Sequence, residues 1–158
     1  RKEVFDLAAL LNTIVEGYAA RFERHEVSCK LFISDEPALR PVKVNMVRGF
    51  VSLAIENLMT NSIYWVQQGA KPGRTERRIS IELDPDSRTL TLRDNGPGVS
   101  PADKNRIFTA GFSLRPRGQG LGLFIAAEVA TYHEAKLVLD SADDDGRFRG
   151  FVLELPKE

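Results

Sequence analysis

The sequence predicts an α/β two-layer sandwich, in which a mixed, mostly antiparallel sheet is covered on one face by helices. Three observations carry this expectation. Apolar residues recur at helical spacing near the start, at Phe5, Ala8, Leu11, Val15, Tyr18 and Phe22. Short alternating runs come in pairs joined by turn residues. The resulting order is helix, strand, helix, hairpin, loop, helix, hairpin, with no internal repeat and no linker, so residues 1–158 are expected to form one domain.

Each element has a local reason. The first period predicts a helix over about residues 5–23. Val27 to Ile33 alternates, with Val27, Cys29, Leu31 and Ile33 on one face of a strand. Pro37 and Pro41 mark a connection, and Asn45 is a candidate cap for a long helix reaching about Gln68, followed by a loop over 69–75. Ile79 to Leu83 and Leu90 to Arg93 read as strands. They are joined by Asp84-Pro85-Asp86-Ser87, where Pro sets φ and Asp and Ser bond the nearby backbone. Ser100-Pro101-Ala102-Asp103 has the form of a helix start, predicting a short helix that ends near Ile107. Residues 108–117 hold no period and read as a mobile loop. A helix from about Gly120 to Tyr132 follows, then strands Lys136 to Ser141 and Phe151 to Leu155 around the acidic turn Ala142 to Gly146.

Lys plus Arg and Asp plus Glu each number 22, so no net basic field points to nucleic acid or to an anionic membrane. No apolar run approaches the roughly 20 residues of a membrane span, and no secretory signal is recognisable. Cys29, the one cysteine, cannot form an internal disulfide and lies in an alternating apolar stretch; it is expected to be a structural thiol in a reducing compartment. A chain that opens on Arg1 reads as a piece of a longer protein.

Three short runs carry the chemistry. In Glu56-Asn57-Leu58-Met59-Thr60-Asn61, the two asparagines are four apart and share a helix face. Amide oxygens there suit Mg²⁺, which takes a few protein oxygens together with phosphate oxygens and water; taken alone, they equally describe the wet face of an amphipathic helix. In Asp94-Asn95-Gly96-Pro97-Gly98, a carboxylate at a strand end is placed to accept from the exocyclic amine of adenine, with Gly96 and Gly98 letting the backbone come close. An ordinary Asp-Asn-Gly turn has the same local sequence. In Gly118-Gln119-Gly120-Leu121-Gly122-Leu123, glycines open a helix whose free N–H groups and dipole suit phosphate. The run comes late and after a hairpin, which excludes a dinucleotide-binding βαβ unit. No Gly-Lys-Ser/Thr follows, which excludes a P-loop.

The order and spacing of these runs resemble the ATP-binding boxes of the superfamily uniting gyrase, heat-shock chaperones, sensor histidine kinases and the mismatch-repair ATPase MutL. Within it the chain most resembles the catalytic ATP-binding domain of bacterial sensor histidine kinases, from about Phe5 to Pro156. The resemblance implies the Bergerat ATP-binding fold, with ATP and Mg²⁺ as ligands. By the same resemblance Asn61 holds Mg²⁺, Asn57 supports it, Asp94 selects adenine, and Asn61, Asn57 and Arg115 serve catalysis. Ile107-Phe108-Thr109-Ala110-Gly111-Phe112-Ser113 resembles the phenylalanine box of the kinase lid. The implied nucleotide contacts are thus Asn57, Asn61, Trp65, Asp94, Gly96 and Gly98, then Phe112 and Ser113 in the lid, then Gly118, Gly120, Leu121, Gly122 and Leu123. Arg115 and Arg117 are cations in reach of a terminal phosphate or, equally, parts of a solvated basic loop. Relatives often carry Lys where Tyr64 stands, a departure that the lid arginines are placed to offset. Trp65 lies beside adenine on this reading; an aromatic on this helix also fits a core position.

The position four before Asn61 separates the family's branches. The ATPases usually have a glutamate there to activate water. Here it is Asn57, and Glu56 lies about 100° round the helix, pointing elsewhere. This favours a kinase whose nucleophile is an imidazole on another domain. His25 precedes a strand and lacks a following Pro, so it is set aside as the phosphoacceptor; His133 reads as a helix C-terminal cap or surface residue. The implied partners are a helical dimerisation domain bearing the phosphoacceptor histidine, and downstream a response regulator. The implied location is cytoplasmic, including the cytoplasmic part of a membrane-bound sensor. Two other functions stay open on the same fold: a non-catalytic nucleotide-sensing or protein-binding module, and a gyrase- or MutL-like ATPase.

Overall fold

Alternation in three strands builds the floor of the molecule. In the computed structural model, which describes residues 1–33, 41–69, 76–116, 118 and 120–157, Ile79, Ile81 and Leu83, Leu90 and Leu92, and Phe151 and Leu153 all turn to one side of a sheet and are buried. The elements run β1 (Glu3–Asp6), α1 (Leu7–Gly17), α2 (Ala19–Arg24), β2 (Val27–Ile33), β3 (Lys43–Met46), α3 (Arg48–Val66), β4 (Arg77–Asp84), β5 (Thr89–Asp94), α4 (Gly122–Tyr132), β6 (Lys136–Leu139) and β7 (Gly150–Glu154). The five-stranded sheet has the order β2-β4-β5-β7-β6. Only β2 and β4 pair in parallel, as the crossover through α3 requires; the other three pairs are antiparallel. α1, α3 and α4 cover one face, with Leu7, Leu11, Val51, Ile55, Leu58, Met59 and Val66 against the inward strand residues. The expected two-layer, mostly antiparallel sandwich is therefore the observed fold.

Several expected boundaries move, each for a stated reason. The first helix does not begin at Phe5. Glu3–Asp6 forms a strand that pairs antiparallel with β3, making a separate two-stranded sheet. Asp6 then caps α1, its Oδ1 accepting from Ala8 N at 3.0 Å and Val42 N at 2.9 Å. The helical period is also interrupted at Tyr18 (φ −98°, ψ 1°), directly after Gly17, a weak helix former. Asn45 caps nothing: it is in β3 opposite Val4, and Val47 takes the cap position of α3 without a side-chain cap. The short helix after Ser100 is instead a run of turns, closed by Asp103 N to Ser100 O, Arg106 N to Asp103 O and Thr109 N to Arg106 O. Ser100 Oγ donates to the Asp103 carboxylate at 3.0 Å rather than accepting from a helix N–H. α4 starts at Gly122, because Gly120 is left-handed (φ +70°) and cannot continue a helix backwards. The turn at 84–87 forms as expected, with Asp84 Oδ1 accepting from Asp86 N and Ser87 N. The expectations for Pro37, for residues 70–75 and for Arg117 lie outside the described residues. Among the described residues no helix is long and apolar enough to cross a membrane. Cys29 is half-buried, and burial pushes its thiol up to about 11, which leaves little thiolate at neutral pH.

Candidate functional site

The end of α3, the end of β5 and the start of α4 meet over one cavity of about 500 Å³. α3 contributes Asn57, Thr60, Asn61 and Trp65 to its wall, β5 contributes Asp94, and the following turn contributes Pro97, Gly98 and Val99. Phe112, Ser113, Leu114 and Arg115 form the lid side, and Gly118, Gly120, Leu121, Gly122 and Leu123 lead into α4. Twelve of the thirteen predicted contacts, and Arg115, are thus on one surface. The exception is Gly96, which is packed behind the wall: a Cβ there would lie 3.0 Å from both Asp94 Oδ1 and the Trp65 carbonyl oxygen. Its smallness lets the 96–98 turn sit on the end of α3. Sequence reasoning missed Thr60, Ile107 and the second hairpin arm, Arg147, Phe148, Arg149 and Phe151, which also reach the cavity. No local motif marks the last four, because only the pairing of β7 with β5 and the Val99–Phe148 bridge brings them there.

Asp94 serves the turn and the cavity at once. Its Oδ1 accepts from Gly96 N at 2.9 Å, and the same residue lines the cavity. Burial raises its carboxyl above the usual range, opposed by the Gly96 N–H, the Ser62 hydroxyl, Arg149 and Arg93. Ser62 Oγ is buried beside it and completes no hydrogen bond of good geometry. Asn95 turns the other way, its side chain accepting from Arg78 N at 2.8 Å and donating to Glu76 O at 2.5 Å.

At the other end of the cavity, Asn57 Nδ2 is a buried donor with no partner. Asn57 Oδ1 lies 3.5 Å from where a Gly122 Cβ would stand. Gly122 is the first residue of α4, whose N-cap, Leu121, supplies no side-chain hydrogen bond. The uncapped start of α4 and Asn57 therefore line the same wall, and the free N–H groups of α4 suit phosphate oxygens there. Among the described residues no group of three His, Cys, Asp or Glu is placed to hold a metal. Asn61, an amide oxygen on the cavity wall, is compatible with a Mg²⁺ whose other ligands are phosphate and water.

The lid is held by specific contacts. Ile107 is buried and Phe108 packs edge-on against Phe151, with centroids 6.0 Å apart, so the phenylalanine box anchors the segment to the sheet. Gly111 N donates to Gly120 O at 3.0 Å, and the Gly120 Cα sits where any Cβ would press on Gly111 and Phe112. The Arg115 guanidinium stacks 4.1 Å over the Tyr64 ring. A cation thus lies against Tyr64 at the cavity wall. Glu56 points away from the cavity, accepting from Tyr18 Oη at 3.1 Å and Ser52 Oγ at 3.0 Å. His133 is buried rather than on the surface, and instead of capping its own helix alone it joins two. Its Nδ1 donates to Val129 O at 2.8 Å, and its Nε2 accepts the Val47 N–H at 2.9 Å at the head of α3.

Residues 47–158 match the family model described as histidine kinase-, DNA gyrase B-, and HSP90-like ATPase. Similar proteins include the swarming motility regulation sensor protein RssA of Serratia marcescens, 37% identical over 105 residues, covering 64% of this chain and 21% of RssA. Another is the sensor protein kinase PilS of Pseudomonas aeruginosa, 29% identical over 146 residues, covering 89% of this chain and 26% of PilS. The chain therefore spans about a fifth to a quarter of the length of these relatives. The solved catalytic domain of histidine kinase ThkA has the same fold, with a TM-score of 0.79 over 99% of this chain and 98% of that one at 19% identity. ThkA has also been solved in complex with the response regulator protein TrrA, matching 99% of this chain and 42% of that one with a TM-score of 0.76 at 18% identity.

Proposed function

The chain belongs to the family of histidine kinase-, DNA gyrase B-, and HSP90-like ATPases, and on that premise we propose that it is the Mg-ATP-binding part of a sensor histidine kinase, which donates the γ-phosphoryl group to a histidine on a separate helical domain. The observation that carries the proposal is the gathering of Asn57, Asn61, Asp94, Arg115 and the uncapped start of α4 on one cavity while Glu56 faces Tyr18.

Asp94 Oδ2 accepts from the adenine amine, with Trp65 beside the base. The α4 N–H groups take phosphate oxygens with Asn57 beside them, and Arg115, braced on Tyr64, lies at the lid side. Asn61 would hold Mg²⁺, which when bound would neutralise phosphate charge. The protein's share of the work is positioning and electrostatics. In the transfer, the bond from γ-phosphorus to the ADP oxygen breaks, ADP keeps the electron pair, and a bond forms to an imidazole nitrogen of the acceptor histidine. The phosphoryl group then passes to a response regulator. In this setting the location is cytoplasmic.

At the position where the ATPases carry their base stands Asn57, which takes up no proton at neutral pH, and the neighbouring Glu56 accepts from Tyr18 and Ser52 instead. This weighs against a gyrase- or MutL-like ATPase clamp. Arg115 over Tyr64 weighs against a purely nucleotide-sensing module, since it restores a cation that such a site could dispense with. With γ-labelled ATP and Mg²⁺, the label is expected on the histidine of a helical domain supplied in trans, as an acid-labile phosphoprotein, while the chain alone releases free phosphate slowly. Multiple-turnover phosphate release by the chain alone would instead identify a clamp-type ATPase.

A further inference from the structure

Arg149 is 3% exposed, among the most buried polar residues of the described chain. Its five donors are spent in two directions. Towards the base-binding turn, Nε donates to Gly96 O at 2.6 Å and Nη2 to Pro97 O at 3.1 Å. Away from it, Nη1 and Nη2 fork onto Asp145 at 2.9 and 2.7 Å, and Nη1 also reaches Asp143 Oδ2 at 3.1 Å. Asp143 Oδ1 in turn accepts from Arg93 Nη2 at 2.7 Å, and Arg93 Nη1 donates to Asp140 at 2.7 Å. Arg93 immediately precedes Asp94, and Asp94 N donates to the Arg149 carbonyl at 3.0 Å. The network therefore grips the segment on both sides of Asp94. Space leads to the same pairing: a Cβ at Gly98, where φ is +76°, would lie 2.9 Å from Arg149 Cγ, so the side chain fills the room that the glycine leaves.

We propose that Arg149 is a positioning residue for base recognition. By holding the carbonyls of Gly96 and Pro97 it keeps the Gly96 N–H on Asp94 Oδ1, and so keeps Oδ2 aimed at the exocyclic amine of the bound base. This rests on the nucleotide reading above. Removing one partner of a buried ion network lowers stability in itself, so the positioning role is read from the contrast between two ligands on the same folded variant.

The test measures affinity for ADP and for inosine diphosphate, which carries a carbonyl in place of the amine, in the wild type and in Arg149→Met and Arg149→Lys. Arg149→Lys guards against a methionine variant that fails to fold. The wild type is expected to prefer ADP. Arg149→Met is expected to weaken ADP about tenfold while changing inosine diphosphate less than about twofold, because only the amine contact is misaligned. Arg149→Lys, which keeps a charge but cannot fork, falls between. A merely structural arginine would weaken both ligands equally; an ADP preference unchanged in the folded variants overturns the proposal. A wild type that binds the two nucleotides equally overturns the base-recognition reading of Asp94 itself, a separate failure.

Discussion

Replacing Asp94 with asparagine separates folding from recognition at a single atom pair. The carboxylate has two acceptor oxygens, one taken by Gly96 N at 2.9 Å and one left for the base. The amide has one. If its oxygen keeps the turn, its NH₂ group meets the adenine amine donor to donor; if it flips, it meets the Gly96 N–H. The turn is part of the fold, so the base contact is lost. A hydrogen bond to a charged acceptor is worth about 1.5–3 kcal/mol, so ADP affinity should fall roughly 10- to 150-fold. Stability should move the other way. Burial raises the Asp94 carboxyl in the folded state, so the native state holds its proton where the unfolded chain has released it. Stability therefore drops as pH rises from the ordinary carboxylate value through the raised one, and the penalty is fully present above it. Asparagine never ionises and escapes this. Asp94→Asn should melt at or above the wild-type temperature near pH 7, and the difference should close near pH ~3. Nucleotide titrations followed by the fluorescence of Trp65, the one tryptophan and a wall residue, with thermal melts at both pH values, measure all of this. Affinity within threefold of wild type, or a variant destabilised more at neutral than at acid pH, would refute the reasoning.

Two glycines in the third run should behave differently. Gly120→Ala forces a left-handed residue and drives a Cβ into Gly111 and Phe112, so it should disrupt the lid, lower the melting temperature and abolish detectable ADP binding. Gly122→Ala meets only Asn57 at 3.5 Å, so its melt should match or exceed wild type while ADP binding weakens about tenfold through crowding of the phosphate end. His133→Ala leaves the Val47 N–H without its acceptor and removes the ring packed against Phe50 and Tyr132. It should cost about 2–4 kcal/mol in denaturant unfolding, and His133→Gln, which can still accept from Val47, should recover part of that.

The site was more legible in the sequence than the frame around it. Asn57, Asn61, Asp94 and the late glycines sit in runs whose spacing follows from one helix face, one strand end and one helix start, so local rules were enough. The errors fell where distant pairing decided the outcome. β1 claims residues that carry a helical period because β3 pairs with them, and the same pairing takes Asn45 away from the head of α3. Val47 is capped by no neighbour in sequence but receives the His133 imidazole from the far end of α4. Arg147 and Arg149 are anonymous among the acidic residues of their hairpin until β7 lies beside β5 and closes them onto the 96–98 turn. Gly96 was placed at the ligand for a sound reason, the room its missing Cβ leaves, but that room faces Trp65.

The most direct test of the account is calorimetric titration of the chain with a non-hydrolysable ATP analogue, with and without Mg²⁺, for the wild type and for Asn61→Ala. The account predicts binding that Mg²⁺ strengthens in the wild type, and a loss of most of that strengthening in Asn61→Ala while Mg²⁺-free binding stays near the wild-type value. A folded wild type that binds no nucleotide, or an Asn61→Ala variant with an unchanged response to Mg²⁺, would contradict it.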